Sequence, residues 1–513
     1  MTVYHINKGI GPASSGIEYA QKYRFDLVKD FPERQFFVFC DYIYANYTRF
    51  TDNIGIDMAY TLNAYKFLAG QKNHRSTYTA DDFAATISAD FAREQETDLS
   101  VSFKKGSLHY KVWLIPDLGA DIVDRVDTIV NGRLLQVAHF SDRLTNIDYY
   151  RGSEIFSRYF YNEAGELTMR QFLHEGKIVL TLLDDVVLQG ASEFYSEFFR
   201  RLNFGNQDIV IIDRSMDLGA EILMNKQDAK IVVVVHAEHF SSASSDENWI
   251  LWNNYYEYVF TNYRFVDYYI VSTDKQKARL AEQFGIYGHP ESKIRTIPVG
   301  TVAALSDGSQ IKANKNKFLT ASRLANEKHI DVLVKAVVKA KKLLPELEFH
   351  IYGEGGTRSV LADLIKQNDA SDFIKLEGHQ KMTAELYGQY GGYLTASGSE
   401  GFGLTILEAV GACLPIIGLA VDYGNTEFVK DGVNGYLLER GSEEEQVRAF
   451  AAAMVKMINE LDYSTAIKFD QEKAGPFLSE NVSRDWRRLY DLCLSGEGKP
   501  SVRAAVVQRE DVQ

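Results

Sequence analysis

Two glutamates in one short stretch of the sequence are well placed to bind the hydroxyl groups of a ligand. Residues 399–409 read SEGFGLTILEA: a predicted strand at 392–395 leads into a glycine-containing turn, and an apolar-periodic segment from Leu404 predicts a helix. The first amides of a helix lack internal partners and attract anions. Glu400 and Glu408 flank this helix start, where their carboxylates can accept hydrogen bonds from the hydroxyls of sugars and ribose. The stretch therefore predicts a sugar-nucleotide site.

Two cationic candidates, Arg323 and Lys328, lie in the segment SRLANEK at 322–328. This segment follows a predicted strand and precedes a predicted helix that begins at Ile330. Arg offers a planar fork and Lys a point charge, so together they can hold a diphosphate and offset the charge on a departing nucleoside diphosphate. Taken alone, such a pair is usually a solvated surface pair, so the prediction depends on its place in a strand-to-helix loop.

The segment HAEH at 236–239 follows an apolar predicted strand, at the end where open α/β sheets present ligands. Its spacing invites a zinc site, but it lacks the helical HExxH pattern and has no third ligand close by, so we predict no metal here. Either histidine can also be a neutral structural residue. We expect His239, further out in the loop than His236, to be the one that contacts substrate. No GxxxxGK[ST], GxSxG or DxD segment is present, so protein groups would have to meet the phosphate charge.

The elements that position these loops follow from the order of strand and helix patterns. The chain opens with a predicted strand at 3–7, the turn GIGPASSG at 9–16 and a helical pattern at 17–28. The glycine spacing departs from GxGxxG, so a dinucleotide site is not predicted, and a tight connection without a ligand stays the alternative. From about Val101, strands broken by turns predict an antiparallel meander, and the α/β pattern resumes near residue 208. We therefore expect an inserted sheet that contacts a partner or substrate.

The predicted fold is α/β, with two Rossmann-like domains facing a cleft and an antiparallel β-meander inserted in the N-terminal one. Short apolar runs on both sides of a polar boundary at 306–316 predict the buried strands of two parallel sheets. The expected boundaries are 1–75 (N-terminal domain, first part), 76–200 (inserted sheet), 201–303 (N-terminal domain, second part), 304–478 (C-terminal donor-binding domain), 479–496 (a helix crossing back to the first domain) and 497–513 (a flexible tail).

Composition excludes several classes of protein. At 513 residues the chain exceeds what one hydrophobic core usually serves. Its 56 basic and 70 acidic residues give a net charge of −14, which argues against nonspecific nucleic-acid binding. Cys40, Cys413 and Cys493 are too widely spaced for a disulfide framework or a zinc cluster. With no basic leader and no apolar run of about 18 residues, we expect a cytoplasmic protein, and peripheral contact with the inner face of the membrane stays open.

Taken together, these motifs resemble those of the retaining GT-B glycosyltransferases of family four. The resemblance is carried by the glycine-rich first turn, SRLxxEK at 322–328, IYGEG at 351–355, GH at 378–379 and EGFGLTxxE at 400–408. More narrowly, VHAEHF, ILWNNYY and the inserted meander look like the A-type subunits of the accessory Sec adhesin glycosyltransferases, over nearly the whole chain. The resemblance implies transfer of N-acetylglucosamine, or of glucose in some relatives, from a UDP-sugar to Ser or Thr of a serine-rich repeat adhesin before export.

The resemblance also implies a role for each motif residue. It implies no cofactor or metal and no base from the protein, because the leaving phosphate oxygen can take the acceptor proton during a same-face displacement. Implied catalytic residues are His239 beside the donor sugar, Arg323 and Lys328 on the diphosphate, and Glu400 on the sugar hydroxyls. Implied donor-binding residues are Gly16, whose amide would approach the diphosphate, Gly378 and His379 beside uracil, the amides of Phe402, Gly403 and Leu404 with Thr405 in the same segment, and Glu408 on the ribose hydroxyls.

The acceptor and the partners leave alternatives open. The resemblance implies a companion glycosyltransferase-like chaperone subunit or a homo-oligomer, and no nucleic acid. Teichoic-acid α-N-acetylglucosaminyltransferases share the inserted sheet and are the nearest alternative, which the mixed charge of the meander strands makes less favoured. A noncatalytic acceptor-binding chaperone is the other alternative. The family's chaperone subunit lacks the donor-site residues, so the presence of Arg323, Lys328, Glu400 and Glu408 favours the catalytic subunit.

Overall fold

Three β-sheets form the framework of the chain: a seven-stranded parallel sheet, a ten-stranded antiparallel sheet and a six-stranded parallel sheet. The computed structural model describes residues 1–11, 14–43, 47–184 and 186–495, so the predicted tail at 497–513 lies outside the described residues. Two parallel sheets and one antiparallel sheet confirm the predicted α/β class with an inserted meander. The exact domain boundaries stay predictions.

The chain enters the N-terminal parallel sheet through three strands. Neighbouring residues Val3 and Tyr4 belong to different buried clusters, which means that both faces of the sheet are covered and explains the continuous apolar run. A capping box between Ser15 and Glu18 marks where the first helix begins. The elements are β1 (Thr2–Asn7), α1 (Gly16–Val28), β2 (Arg34–Phe39), α2 (Tyr47–Ile54), β3 (Thr61–Asn63), α3 (Ala64–Leu68) and α4 (Ala80–Ala84).

An antiparallel meander follows, in which each strand pairs with the next along the chain. Its strands are β4 (Ala92–Thr97), β5 (Ser100–Lys105), β6 (Leu108–Leu114), β7 (Val123–Val130), β8 (Arg133–Phe140), β9 (Leu144–Arg151), β10 (Glu154–Tyr161), β11 (Leu167–His174), β12 (Lys177–Leu183) and β13 (Val186–Gln189). The sequence did not predict β4, β9 or β13. Every residue of β4 is exposed, so this edge strand lacks the alternation that marks a half-buried strand.

The chain then returns to the N-terminal sheet. The elements are α5 (Gly190–Leu202), β14 (Ile209–Ile212), α6 (Gly219–Asn225), β15 (Lys230–Val235), α7 (Glu257–Thr261), β16 (Tyr268–Val271), α8 (Asp274–Ile286) and β17 (Ile294–Thr296). The strand order is β17-β16-β15-β14-β1-β2-β3, all parallel. Because β1 pairs with β14, the loops after β1, β14 and β15 lie side by side at the carboxyl edge of the sheet.

The C-terminal sheet has the order β20-β19-β18-β21-β22-β23, again all parallel. Its elements, with the helices that cover it, are β18 (Lys317–Ala321), α9 (Ile330–Lys341), β19 (Glu348–Tyr352), α10 (Arg358–Gln367), β20 (Ile374–Gly378), α11 (Ala384–Tyr387), β21 (Gly392–Thr395), α12 (Leu404–Gly411), β22 (Ile416–Leu419), α13 (Gly424–Phe428), β23 (Gly435–Leu438), α14 (Glu443–Glu460), α15 (Tyr463–Ala474) and α16 (Ser479–Ser495). The order reverses between β18 and β21, and ligands of open α/β sheets bind beside such a switch point.

The last helix, α16, packs on α1 of the N-terminal domain. The Ser483 hydroxyl donates to the Leu27 carbonyl at 3.2 Å, and the Arg24 guanidinium lies 4.9 Å from the ring centroid of Trp486, which is buried. This contact ties the end of the described chain to its beginning. Within the described ranges, no helix combines the length and the apolar character needed to cross a bilayer.

Candidate active site

The start of α12 presents free backbone amides. Gly403 caps this helix at a φ of +83°, a left-handed conformation that glycine adopts without strain. The amides of Phe402, Gly403, Leu404 and Thr405 donate to no acceptor among the described residues. These amides add to the positive end of the helix dipole, so the turn offers the donors that an anion requires, and its role as a phosphate site stays a prediction. The Thr405 hydroxyl is hydrogen-bonded to the Tyr393 hydroxyl at 2.8 Å, and its role toward the donor stays a prediction.

Lys328 and Glu400 form an ion pair next to this turn, with 2.5 Å between Lys328 Nζ and Glu400 Oε1. The lysine comes from the loop between β18 and α9, and the glutamate from the loop between β21 and α12. Their side chains are 22% and 17% exposed, so the pair stays within reach of a ligand. The structure therefore brings two predicted site residues into contact.

Arg323 lies in the same loop as Lys328 and points toward solvent. Its guanidinium pairs with Glu327 at 2.5 Å, and both side chains are more than half exposed. An exposed pair of this kind is weak in water and exchanges readily. Arg323 can therefore leave Glu327 for a diphosphate, which keeps its predicted role available.

Two glycines bring the loop after β19 against the loop that carries Arg323. Gly353 and Gly355 have φ of +125° and +158°, and a Cβ on them would lie 1.9 and 2.3 Å from the carbonyl oxygens of Ser322 and Leu324. The Leu324 amide also donates to the Glu354 carbonyl at 3.0 Å. The sequence marked these glycines as part of a motif but assigned them no role. The structure shows that they allow the two loops to touch.

Gly378 and His379 follow β20 beside these loops. Gly378 has a φ of +74°, and its carbonyl accepts a hydrogen bond from the Gly353 amide at 2.8 Å. The His379 side chain is exposed. Both residues thus lie at the carboxyl edge of the C-terminal sheet, and their predicted place beside uracil stays a prediction.

Glu408, on the first turns of α12, is engaged on both carboxylate oxygens. The Tyr23 hydroxyl donates to Oε1 at 2.5 Å and the Tyr387 hydroxyl to Oε2 at 2.8 Å. Burial raises the pKa of Glu408, and the two hydrogen bonds act in the opposite direction. Because Tyr23 belongs to α1, this contact also joins the two domains across the cleft. Gly16, at the exposed start of α1, has open space around it, and its role toward a diphosphate stays a prediction.

His239 is more deeply buried than expected. The sequence placed it further out in the loop than His236, and that part of the prediction is wrong: His239 is 0% exposed, among Phe240, Trp252 and Tyr423. Its Nε2 is hydrogen-bonded to Gln283 Oε1 at 2.7 Å, whereas Nδ1 has no partner among the residues that the structure describes. Burial lowers the pKa of His239 to about 4, so the ring is neutral near pH 7. Contact with the donor sugar stays a prediction, for which Nδ1 is the available atom.

A buried polar network lies under the loops of the N-terminal sheet, and His236 is the one of its residues that the sequence singled out. Asp213, after β14, accepts from Arg24 at 2.5 Å, from His236 Nε2 at 2.8 Å and from Gln21 at 2.8 Å. Burial pushes the pKa of Asp213 upward, but the charge of Arg24 and the hydrogen bond from His236 outweigh it and hold the pKa well below its usual range. Residues so far apart in sequence give no local motif that could have revealed this network.

The two faces of the cleft meet at Gly401. A Cβ on Gly401 would lie only 2.2 Å from the carbonyl oxygen of His236 and 2.9 Å from Cα of Ala237. A second glycine, Gly300, lies at the junction between the domains. The side chains of Phe402 and Leu404 pack closely over it, where a Cβ would not fit. Glycine at 401 therefore allows the carboxyl edges of the two parallel sheets to touch. In the described part of the chain, no three His, Cys, Asp or Glu side chains group so as to hold a metal ion.

Two parallel-sheet domains that meet at their carboxyl edges, with cations and open amides lining one face, define a glycosyltransferase of the GT-B fold. Residues 303–464 match the family model of the glycosyl transferases group 1. The chain belongs to the family of UDP-N-acetylglucosamine–peptide N-acetylglucosaminyltransferase GtfA subunits. It is 39% identical to the Streptococcus pneumoniae member over 504 residues, which cover 96% of this chain and 100% of the relative.

Solved structures agree with this assignment. The pneumococcal O-GlcNAc transferase GtfA in complex with UDP and GlcNAc is 38% identical, with a TM-score of 0.91 over 96% of this chain and 99% of that one. A GtfA/B complex is 35% identical, with a TM-score of 0.86 over 96% of this chain and 100% of the other. The predicted family and the predicted GT-B fold are thus confirmed.

Proposed function

We propose that this chain transfers N-acetylglucosamine from UDP-N-acetylglucosamine to serine or threonine hydroxyls of a peptide, with retention at the anomeric carbon. The observation that carries the proposal is the Lys328–Glu400 ion pair at 2.5 Å beside the free amides of α12. These two side chains satisfy each other. A bound diphosphate offers Lys328 a stronger anionic partner, and Glu400 is then free to accept hydrogen bonds from sugar hydroxyls.

The reaction follows from charge placement. The bond between the anomeric carbon and the phosphate oxygen breaks with its electron pair on UDP, where Lys328, Arg323 and the amides of α12 stabilise the growing charge. The acceptor hydroxyl oxygen forms the new bond from the same face, and its proton passes to the departing phosphate oxygen. No side chain needs to act as a base, which agrees with Glu400 being paired to a cation and not to a hydroxyl group.

We further propose a serine-rich repeat adhesin as the acceptor and a companion subunit as the partner. The relatives named as peptide N-acetylglucosaminyltransferases support a peptide acceptor, and the structure of a GtfA/B complex supports a companion subunit. The adhesin is what the resemblance of the sequence motifs implies. The inserted sheet offers a large surface beyond the two catalytic domains, on which such a partner or acceptor can bind.

The test is a transfer assay with purified protein, UDP-N-acetylglucosamine, a serine-rich peptide and EDTA, read by mass spectrometry and by the anomeric NMR signal of the product. We expect transfer, an α-linked product and no loss in EDTA. Glu400→Gln and Arg323→Ala should abolish turnover of the donor. Glu346→Gln is the matched control, because this exposed glutamate precedes β19, at the opposite edge of the sheet.

Each other outcome has a definite meaning. If the protein transferred the sugar only onto polyribitol phosphate, the acceptor would be a teichoic-acid polymer and not a peptide. The protein could instead bind the peptide but turn over no UDP-sugar, either alone or with a companion subunit. It would then be a noncatalytic acceptor-binding chaperone. A β-linked product, which needs an axial to equatorial change at the anomeric carbon, would contradict retention. Loss of activity in EDTA that Mg²⁺ restores would contradict the predicted independence of metal.

A further inference from the structure

Glu408 is held by two tyrosine hydroxyls, one on each carboxylate oxygen. We propose that Tyr23 and Tyr387 are positioning residues that keep the Glu408 carboxylate ionised and oriented to receive the two adjacent hydroxyls of a nucleotide ribose. This inference rests on the proposed function, since the ribose is that of the UDP-sugar.

The two tyrosine contacts leave Glu408 enough free acceptor positions for two ribose hydroxyls. Tyr23 donates to Oε1 at 2.5 Å and Tyr387 donates to Oε2 at 2.8 Å. A carboxylate offers about four lone-pair positions, so each oxygen retains one free acceptor position after these contacts. Two acceptors fixed side by side match two neighbouring hydroxyls, and fixing the carboxylate beforehand lowers the entropy lost when the ribose binds.

The electrostatics require donors at this position. Burial raises the pKa of Glu408, and in the described part of the chain no Lys, Arg or His forms an ion pair with it. The tyrosine hydroxyls oppose this shift. Burial also raises the pKa of both tyrosines well above its usual value, so they remain neutral and donate. Without them, the pKa of Glu408 would rise further, and a protonated carboxyl group offers fewer acceptor positions than a carboxylate.

The two tyrosines come from opposite faces of the cleft. Tyr387 ends α11 in the C-terminal domain and is 1% exposed, whereas Tyr23 lies on α1 in the N-terminal domain. Glu408 therefore reaches its full set of donors only when α1 is in place against α12. A purely structural alternative exists, in which Tyr23 fastens the domains together and does nothing for the ribose.

The experiment separates these two roles with a pair of ligands. Binding of UDP and of 2′-deoxyuridine diphosphate is measured by calorimetry on the full chain, for the wild type and for Tyr23→Phe, Tyr387→Phe and the double variant. We expect each single variant to bind UDP about five- to tenfold more weakly. The preference of the wild type for UDP over the deoxy ligand should shrink toward one in the double variant. Tyr19→Phe is the matched control, because Tyr19 is exposed on the same helix and its hydroxyl bonds to no described residue.

A pH series adds a second readout. The UDP phosphate itself titrates near pH 6 in every sample, so the ratio of variant to wild-type affinity is compared. If the hydroxyls keep Glu408 ionised, the deficit of the double variant grows as the pH falls from about 8 to about 6. A merely structural contact predicts a deficit that does not change over this range.

Three results would overturn the inference in different ways. Variants that bind UDP as the wild type does contradict any role, and equal losses for both ligands with a flat pH ratio support the structural alternative. A wild type that binds no UDP would contradict the proposed function as well. Thermal unfolding checks that each variant is folded, and the single variants, which each lose one hydroxyl, carry the test if the double variant is not.

Discussion

On the N-terminal face of the cleft, the side chains of Arg24 and Asp213 pair at 2.5 Å and are 4% and 0% exposed. On the C-terminal face, Lys328 and Glu400 pair at the same distance but are 22% and 17% exposed. The first pair also holds His236 and Gln21 and stays closed to ligands. The second lies beside backbone amides that donate to no acceptor within the described ranges.

This difference in exposure suits the buried Arg24–Asp213 pair to a structural role and the Lys328–Glu400 pair to the proposed binding of a ligand. A buried ion pair gives little net stability, yet it is costly to break because the remaining charge stays buried. A pair near the surface exchanges partners at low cost, which is what a ligand with two phosphates requires. We therefore expect substitutions on the N-terminal face to reduce folding stability first, and substitutions on the C-terminal face to reduce activity first.

The largest effect should come from Asp213→Ala. The substitution leaves Arg24 buried without its carboxylate, so we expect the free energy of unfolding to fall by about 3–5 kcal/mol in urea denaturation. Because the folded pKa of Asp213 lies below its ordinary value of 3.8, its contribution is present above that pH and is lost as the pH falls below it. The difference between variant and wild type should therefore narrow in acid.

Asp217→Ala is the control for this experiment. Asp217 is in the same loop and pairs with Lys8 at 2.5 Å, but the two side chains are 42% and 36% exposed. We expect a change below about 1 kcal/mol. If both variants lost the same free energy of unfolding, the burial of the Arg24–Asp213 pair would not explain its contribution to stability.

The next largest effect should come from Lys328→Ala, and it should be an effect on activity. Removing a cation that meets charge in the transition state lowers kcat/KM by about 10²- to 10³-fold. The melting temperature should hardly change, because the pair with Glu400 is partly solvated. Lys339→Ala, at an exposed position of α9, should behave as the wild type. A large loss of stability in Lys328→Ala would erase the contrast between the two faces.

The contrast also explains what could be predicted from the sequence. On the C-terminal face, each group of candidate side chains lies within a single short loop. The local motifs EGFGLT and SRLANEK therefore indicated Glu400, Arg323 and Lys328 directly. Strands with continuous apolar runs predicted both parallel sheets, because both faces of such sheets are buried. The inserted meander followed from its alternating strands and turns, except where an exposed edge strand or buried polar residues broke the pattern.

The N-terminal face could not be predicted in the same way. Arg24, Asp213 and His236 lie on three separate elements, and only the pairing of β1 with β14 and of β14 with β15 brings them together. The burial of His239 has a similar cause, since Trp252 and Tyr423 reach it from a later loop and from the other domain. A local pattern carries no information about such neighbours.

Gly401→Ala should reduce activity by an intermediate amount, because it acts where the two faces touch. Its Cβ would lie 2.2 Å from the backbone oxygen of His236, and neither backbone can yield without moving a loop. A displacement of about 1 Å between the faces can lower the rate about 100-fold. Gly356→Ala is the control, since a Cβ there meets nothing within 4 Å. Equal kcat/KM values for the two variants would mean that this contact is not needed for the reaction.

The smallest effect should come from Lys275→Ala, which removes an exposed ion pair between the two faces. Lys275 pairs with Asp422, and the two side chains are 49% and 51% exposed, so water and salt screen their attraction. We expect kcat/KM to change by less than about fivefold at low salt and the difference to vanish at high salt. A change that persisted at high salt would mean that Lys275 contacts the substrate, and that the N-terminal face offers a cation to the ligand.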